Sequence, residues 1–484
     1  MDENSVVLKY LKEKGYNVDT KYYQNVSIWK EWYDGTVSEF HKYHDQNNIE
    51  RELYKLGMAK KGCEDWSSIL FTERDNIIAD SKDNQEYLDK MLENLGFYDK
   101  IPDNIENAFW SSTVATVARV KDAIIDKKKK VLLANESTKM ELIDVPAKQI
   151  VPLKVEHGKI VDLAIVSTIK EDNKEIYYIE THELINNEYI IRNVYLDSNG
   201  TEVEREGILK EYNTHSNIPL FSLLSPKIVN NKKYNNGLGL SIYANAIDQL
   251  KSCDIAYNNY VTDGVLGGKK VFYNRKLIKY VLVKRKDENG EEYTEEIPIY
   301  PDDLTKQQFQ VLSDEAETIN DKALIQEHNP DLRMDDNEKN INLALNLYSF
   351  KIGLGKGYYK FENGTVVTAT QYLGENRDLV SNAKKHRKAL NSYVVGVARS
   401  ILLLGRLLFG ENVNEKDAIN LTDKDGFLVS DEELQEQYRQ DFNAGLMSKL
   451  TYLMKARGMS EEAAREEMER IKSESTSIKD LVGE

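Results

Sequence analysis

Cysteine, proline and basic charge are all scarce in this chain. Two cysteines, Cys63 and Cys253, stand among 484 residues, and they form neither a metal-ligand pair nor a redox motif. That excludes a disulfide-stapled scaffold and suits reduced thiols in a cytosolic setting. Of eight prolines none follows Pro330, so the last third is free to build long helices; an interior proline costs about 3 kcal/mol or more. A formal net charge of −16 is the wrong sign for a general nucleic-acid coat. No Gly-Lys-Ser/Thr and no G-x-S-x-G occurs, which removes the P-loop and the nucleophile elbow. The N-terminal "MDENSVVLKYLKEKG" is acidic early and has no apolar run of signal-peptide length. "LNSYVVGVARSILLLGRLLFG" (390–410) is long enough for a membrane span but contains Arg399 and Arg406. Each would cost about 2.5–3.5 kcal/mol at a bilayer centre, so a buried helix and no membrane partner are expected.

Hydrophobic residues make up 40% of the chain, enough for real cores, and its length suits several folding units. Basic charge is concentrated: Lys351 to Glu411 holds ten Lys/Arg against four Asp/Glu. The first hundred residues read as helices, with "SIWKEWYDG" and "IERELYKLGMAKKGCEDWSSILFTE" carrying apolar residues at three- and four-residue spacing. From Lys130 to Tyr212 short β-rich runs replace them: "KVLLAN", "QIVPLKV", "IVDLAIVSTI", "EIYYIETHEL", "EYIIRNVYLD" and "TEVEREGI". Turn pairs such as His157-Gly158, Asp172-Asn173, Asn186-Asn187 and Asn199-Gly200 separate them, predicting an antiparallel β module. Residues 218–241 read as a loop, followed by a helix over 241–267 capped by Ser241. A small mixed module spans 269–335, with a hairpin whose Asn289-Gly290 turn predicts type I′. A helix over 335–352 opens on Asp335 and Asp336. A long one runs from Thr368, with Gln371 completing a capping box, to about Gly410. "SDEELQEQYRQDFNAGLMSKLTYLMKARG" and "SEEAAREEMERIKSE" read as amphipathic helices capped by Ser430 and Ser460.

Candidate sites are few. "KIGLGKGYYKFENGTVVTAT" (351–370) alternates Gly353, Gly355 and Gly357 around Lys356, and Gly-rich loops with a lysine often hold phosphate. Gly357 is followed by Tyr358 where a P-loop needs Lys, Tyr358 also stands where a dinucleotide fingerprint needs its third Gly, and the stretch leaves a helix rather than a strand. It reads instead as a hinge and loop between helices, with Gly353 as a C-cap, Gly355 and Gly357 lending mobility, and Asn363-Gly364 turning. His41 and His44 in "HKYH" could pair on a metal, but with no third ligand in sequence they read as exposed helix surface. Asp335-Asp336 and Asp302-Asp303 read as helix-start acids, and "DKKKK" (126–130) as a solvated turn. No catalytic constellation emerges and no cofactor is implied, so a non-enzyme is expected.

The order of these elements carries a resemblance. "NNKKYNNGLGLSIYANAIDQLKSCDIAYNNYVTDGVLGGKKVFYN", a small insert, and then "NINLALNLYSFKIGLGKGYYKFENGTVVTATQYLGENRDLV" resemble a portal protein of tailed bacteriophages, of the type found in phages and prophages of Gram-positive hosts. The likeness is strongest from about 218 to 410 and rests on family-like phrases. It implies an α+β, mainly helical portal fold. Residues 1–237 would be the wing, 238–267 and 336–352 two stem helices, and 268–335 the clip. The tunnel loop would be 353–367, a long wing helix 368–411, and a helical crown 412–484. It further implies a homo-oligomeric ring, typically of twelve subunits, at one capsid vertex of the virion, assembled in the host cytoplasm. The ring would pass double-stranded DNA non-specifically during packaging, retention and ejection, and would dock the terminase large subunit, then a head–tail adaptor, beside capsid and scaffolding proteins. Lys351, Lys356, Lys360, Asn363, Gly364 and Thr365 would lie along the DNA channel. Gly353, Gly355 and Gly357 would be its hinge, and Arg399 and Arg406 would pair with acids of a neighbouring subunit. Another phage head or head–tail structural protein is the alternative, and a packaging enzyme a more distant one.

Overall fold

Helical spacing of apolar residues organises the N-terminal region. Helix α1 (Val6–Glu13) turns Val7, Leu8 and Leu11 inward. Helix α2 (Thr20–Asp34) starts on Asp19, whose carboxylate accepts from the Lys21 N–H at 3.0 Å, and stops at Gly35, φ +67°. Short α3 (Ser38–His41), α4 (Met58–Leu70), α5 (Lys82–Asn94) and α6 (Phe97–Ser111) follow. The computed structural model describes residues 6–44, 48–71, 76–126, 131–171, 174–205, 208–232, 237–267, 270–274, 279–286, 291–299, 309–312, 325–328, 331–359, 377–421, 431–459 and 463–471.

The helical reading fails between 42 and 57. There β1 (Lys42–His44) pairs antiparallel with β2 (Glu50–Glu52), and residues 53–56 form no helix before Gly57, in the left-handed region at φ +71°, admits α4. His41 is not exposed helix surface either. It is 2% exposed, and its Nε2 lies 2.9 Å from Asp254 Oδ2. Asp254 also accepts the Leu56 N–H at 2.8 Å, so a buried acid ties this N-terminal segment to a distant helix.

The β module is antiparallel, as the alternation predicts. Strands β8 (Ile150–Glu156), β9 (Lys159–Glu171), β10 (Lys174–Ile185), β11 (Glu188–Leu196) and β12 (Glu211–Asn213) form one five-stranded sheet in the order 12-11-10-9-8. "TEVEREGI" contributes a single bridge, Leu196 to Glu202, rather than a strand. A second sheet was not legible: β13 (Phe221–Leu224), β4 (Val114–Lys121) and β7 (Lys139–Pro146), in the order 13-4-7. β13 lies within the supposed 218–241 loop. The small pair β5 (Ile124–Asp126) and β6 (Val131–Leu133) flanks it, and β3 (Ile77–Ala79) pairs with the far β19 (Ile419–Leu421).

The long helix α9 (Arg377–Leu408) packs on that second sheet. Leu390, Tyr393, Val394, Val397, Ile401, Leu402 and Leu403 are each 1% exposed or less, so the membrane-length apolar run is spent inside the fold. Gly396 lets helix and strand touch: a Cβ there would collide with the Ser222 side chain, which itself donates to the Tyr393 carbonyl at 2.8 Å. The Tyr393 hydroxyl meets Asn104 Nδ2 at 3.1 Å and Thr116 Oγ1 at 2.5 Å, joining α6, β4 and α9 in one buried polar knot. The proposed start of this helix at Thr368 and Gln371 lies outside the described residues.

Helix α7 (Ile247–Leu266) begins six residues later than expected. Ser241 is buried, and the turns between it and Ala246 are not helical. Between α7 and α8 (Met334–Lys351) the regular elements among the described residues are strands. β14 (Lys270–Asn274) lies parallel to β17 (Phe309–Leu312) and antiparallel to β18 (Ile325–His328). β15 (Lys279–Lys286) and β16 (Glu292–Ile299) form a separate hairpin. Its register sets Lys286 opposite Glu292; the Asn289-Gly290 turn lies outside the described residues. Finally, the supposed single helix after Ser430 is two: α10 (Asp431–Asn443) and α11 (Lys449–Arg457), broken at Gly445, φ +72°, with Ser448 capping the second. Ser430 and Ser460 lie outside the described residues.

Candidate functional site

The region with most to offer is the helix pair α7–α8 and the glycine turn leaving it. The pair is tied at one end by Asp263. Its carboxylate accepts from Asn337 Nδ2 at 2.9 Å and from Arg333 Nη2 at 2.7 Å, and these two bonds hold it below the usual aspartate range. At the other end the Tyr348 hydroxyl donates to the Met58 carbonyl at 2.8 Å, and Tyr243 to the Trp29 carbonyl at 2.7 Å. Gly62 on α4 permits this approach, because a Cβ would stand 2.6 Å from the Tyr348 oxygen.

Helix α8 ends in a Schellman turn. The Gly353 N–H donates to Phe350 O at 3.3 Å and the Leu354 N–H to Ser349 O at 2.9 Å, with Gly353 at φ +87° and Leu354 fully buried. Gly353 is thus the residue that closes the helix. Gly355 (φ +87°) and Gly357 (φ +76°) also occupy the left-handed region. All three glycines thus hold backbone that L side chains rarely adopt, and they give the turn its shape. The Trp66 indole donates to Ile352 O at 3.0 Å, and Asn382 Nδ2 to Gly353 O at 3.0 Å. The Tyr359 hydroxyl donates to Asp65 Oδ2 at 2.6 Å, and its ring stacks on Tyr348 at 6.3 Å; burial, then Asp65, push the phenol far above its ordinary value. Helices α4 and α9 therefore clamp both sides of the turn.

Charge gathers around this clamp. Lys351 is exposed at the last turn of α8, where the helix dipole favours a cation. Lys356 is exposed on the turn, its Nζ 5.9 Å from the Phe350 ring centre. Arg377, Lys384, Lys385 and Lys388 are exposed on the first turns of α9. Lys360, Asn363, Gly364 and Thr365 lie outside the described residues. Beneath the basic surface, His386 is buried against Trp66 and Phe109, its ring centre 4.8 and 5.0 Å from theirs. Its Nδ1 accepts the Lys227 N–H at 2.9 Å, and burial, with Lys385 nearby, pushes its pKa down to about 4. It is neutral at physiological pH and adds nothing to the basic surface.

The two arginines part company. Arg406 makes a two-pronged pair with Glu415 of its own chain, Nε to Oε2 at 2.8 Å and Nη2 to Oε1 at 2.7 Å. Nine residues suffice for the chain to fold back on it. Arg399 is half-buried, and its Nε has no hydrogen-bond partner among the described residues.

What the sequence reading missed is an apolar stripe. On α8, Leu343, Leu347 and Phe350 are 59%, 48% and 52% exposed, at spacings of four and three that put them on one face. Ile255 and Tyr260 on α7 are also exposed. The signal was present in "LALNLYSFK", where apolar residues ring the helix instead of keeping to one side. Among the described residues no group of three His, Cys, Asp or Glu side chains is placed to hold a metal ion. Cys63 and Cys253 are buried free thiols, both pushed up by burial, Cys253 to about 12. The chain matches no family model, and no curated protein matches it.

Proposed function

We propose that this chain is the subunit of a ring-shaped portal, a non-enzymatic channel at one capsid vertex through which a tailed bacteriophage packages, retains and ejects double-stranded DNA. The observation that carries this reading is the α8 stripe of Leu343, Leu347 and Phe350. A helix clamped at both ends yet apolar on its open side needs cover, and copies of the same helix pair arranged head to tail supply it. The resemblance in the sequence names the assembly, and the chain's element order suits it: two adjacent long helices, a strand-rich insert between them, and a basic turn at their base.

The electrostatics agree with a conduit. Phosphate contacts dominate DNA affinity, so a channel wall must be sparing with them. An acidic chain that concentrates exposed lysines around one turn, repeated in a ring, gives a local belt of positive field without a tight binding site. Lys351 and Lys356 are the described members of that belt, and terminase, head–tail adaptor, capsid and scaffolding proteins are the partners the reading implies.

Electron microscopy and native mass spectrometry test it. The expected result is a closed ring of identical subunits; absence of rings in every preparation, including co-expression with capsid and scaffolding proteins, contradicts it. Shortening the chain between Gly355 and Thr365 should leave rings intact and impair DNA packaging or retention.

A further inference from the structure

The two outer edges of the β15–β16 hairpin pair with no strand among the described residues, and they differ in charge. Strand β15, "KYVLVKRK", carries four basic residues and no acid; β16, "EYTEEIPI", carries three acids and no base. The two strands form a sheet by themselves. The backbone groups on each outer edge therefore have no strand partner among the described residues. Both faces hold exposed apolar side chains. Tyr280 and Leu282 are 42% and 65% exposed on one, and Val281 and Tyr293 are 45% and 47% exposed on the other. An isolated two-stranded hairpin is marginal in water and needs further strands or a packed face.

We infer that this hairpin is an assembly device, in which the basic edge of β15 adds to the acidic edge of β16 from a second copy of this chain. Charge selects that occupant. Lysine on an edge ordinarily blocks strand addition, and here it blocks β15 from pairing with another β15, as glutamate blocks β16 from another β16. The one pairing both edges favour is β15 with β16 of the next copy. Because β15 and β16 are antiparallel within the hairpin, that addition is also antiparallel, and every hairpin points the same way. Copies are then related by rotation, head to tail, the symmetry a closed ring requires. A DNA partner fits less well, since the acidic strand lies directly beside the basic one.

Two charges are left over for this purpose. Arg285 pairs across the hairpin with Glu295 at 3.0 Å, and Lys286 with Glu292 at 3.7 Å. Lys284 and Glu296 are exposed and have no ion-pair partner among the described residues. They lie on the same face as Leu282, so strand addition places Lys284 near Glu296 of the next copy, beside an apolar contact. The inference supplies an interface for the proposed ring and rests on that reading for closure.

The test is charge reversal in the full chain, read by sedimentation velocity and native mass spectrometry. Lys284→Glu and Glu296→Lys should each weaken self-association about fivefold per interface, the upper end for a cross-strand charge pair, and the double reversal in one chain should restore it. Amide hydrogen exchange gives an independent reading: outward-facing amides of both strands should exchange slowly in the assembly and fast in the monomer. Rings that form equally well with either reversal, with edge amides exchanging freely, overturn this inference and leave the portal reading intact. Hairpin-dependent open chains that never close overturn the portal reading and leave this one. A chain that is monomeric at every concentration overturns both.

Discussion

Helices α8 and α9 are both rich in leucine, and the fold treats them in opposite ways. On α9 the apolar residues from Leu390 to Leu404 are buried almost without exception, against β13, β4 and β19. Its awkward groups are settled inside the chain as well, with Arg406 on Glu415 and the Tyr393 hydroxyl between Asn104 and Thr116. On α8 the inward face is equally well finished, with Ile341, Leu345 and Tyr348 buried, but Leu343, Leu347 and Phe350 face outward. One helix is completed by its own chain. The other leaves an apolar face uncovered among the described residues, and in the proposed ring that face is where a neighbour would sit.

Substitutions separate the two regions by size and kind of effect. Trp66→Ala, which empties the buried space between α4, His386 and the Gly353 turn, should cost about 3–5 kcal/mol by chemical denaturation of the unassembled chain. A similar loss from Phe350→Ala would erase the contrast. Acid should act next most strongly. His386 has a folded pKa depressed to about 4 from the ordinary 6.5, so the unfolded chain binds its proton first. Its contribution of about 3 kcal/mol is full above pH 6.5 and falls away as pH drops toward 4. His386→Gln should flatten that part of the stability–pH curve, and an unchanged curve would show that the ring is not kept neutral by the fold.

Gly355→Ala asks whether the glycine turn is shape or slack. At φ +87° a side chain should cost about 1–2 kcal/mol; a neutral substitution would restore the hinge reading. The smallest effect on the monomer is the most telling. Leu347→Ser should change the stability of the unassembled chain by less than about 0.5 kcal/mol, while sharply reducing self-association measured by sedimentation.

Regular local patterns were legible in the sequence. The alternation of "EIYYIETHEL" and "EYIIRNVYLD" gave β10 and β11, and the acids Asp335 and Asp336 marked the start of α8. Strand β13 was hidden because "FSLL" is short, buried on both sides and flanked by turn residues, so it has no alternation to read. His41 was misplaced for a related reason: its partner Asp254 is far away in sequence, and nothing local announces a buried acid. At the candidate site, Gly353 as a helix stop was readable from glycine chemistry. The bonds that tie down Ile352, Gly353 and Tyr359 around them were not, because they come from Trp66, Asn382 and Asp65 on other elements. Arg406 shows the same limit, since a pairing with Glu415 needs the chain reversal after α9 to be known.

The central claim is that the open face of α7–α8 is covered by another copy of this chain. Native mass spectrometry of the wild-type chain beside Leu347→Ser, under conditions that permit assembly, tests it most directly. The account predicts a discrete closed oligomer for the wild type and a shift toward monomer for the variant. An identical oligomer in both, or a wild-type chain that never leaves the monomer, would contradict it.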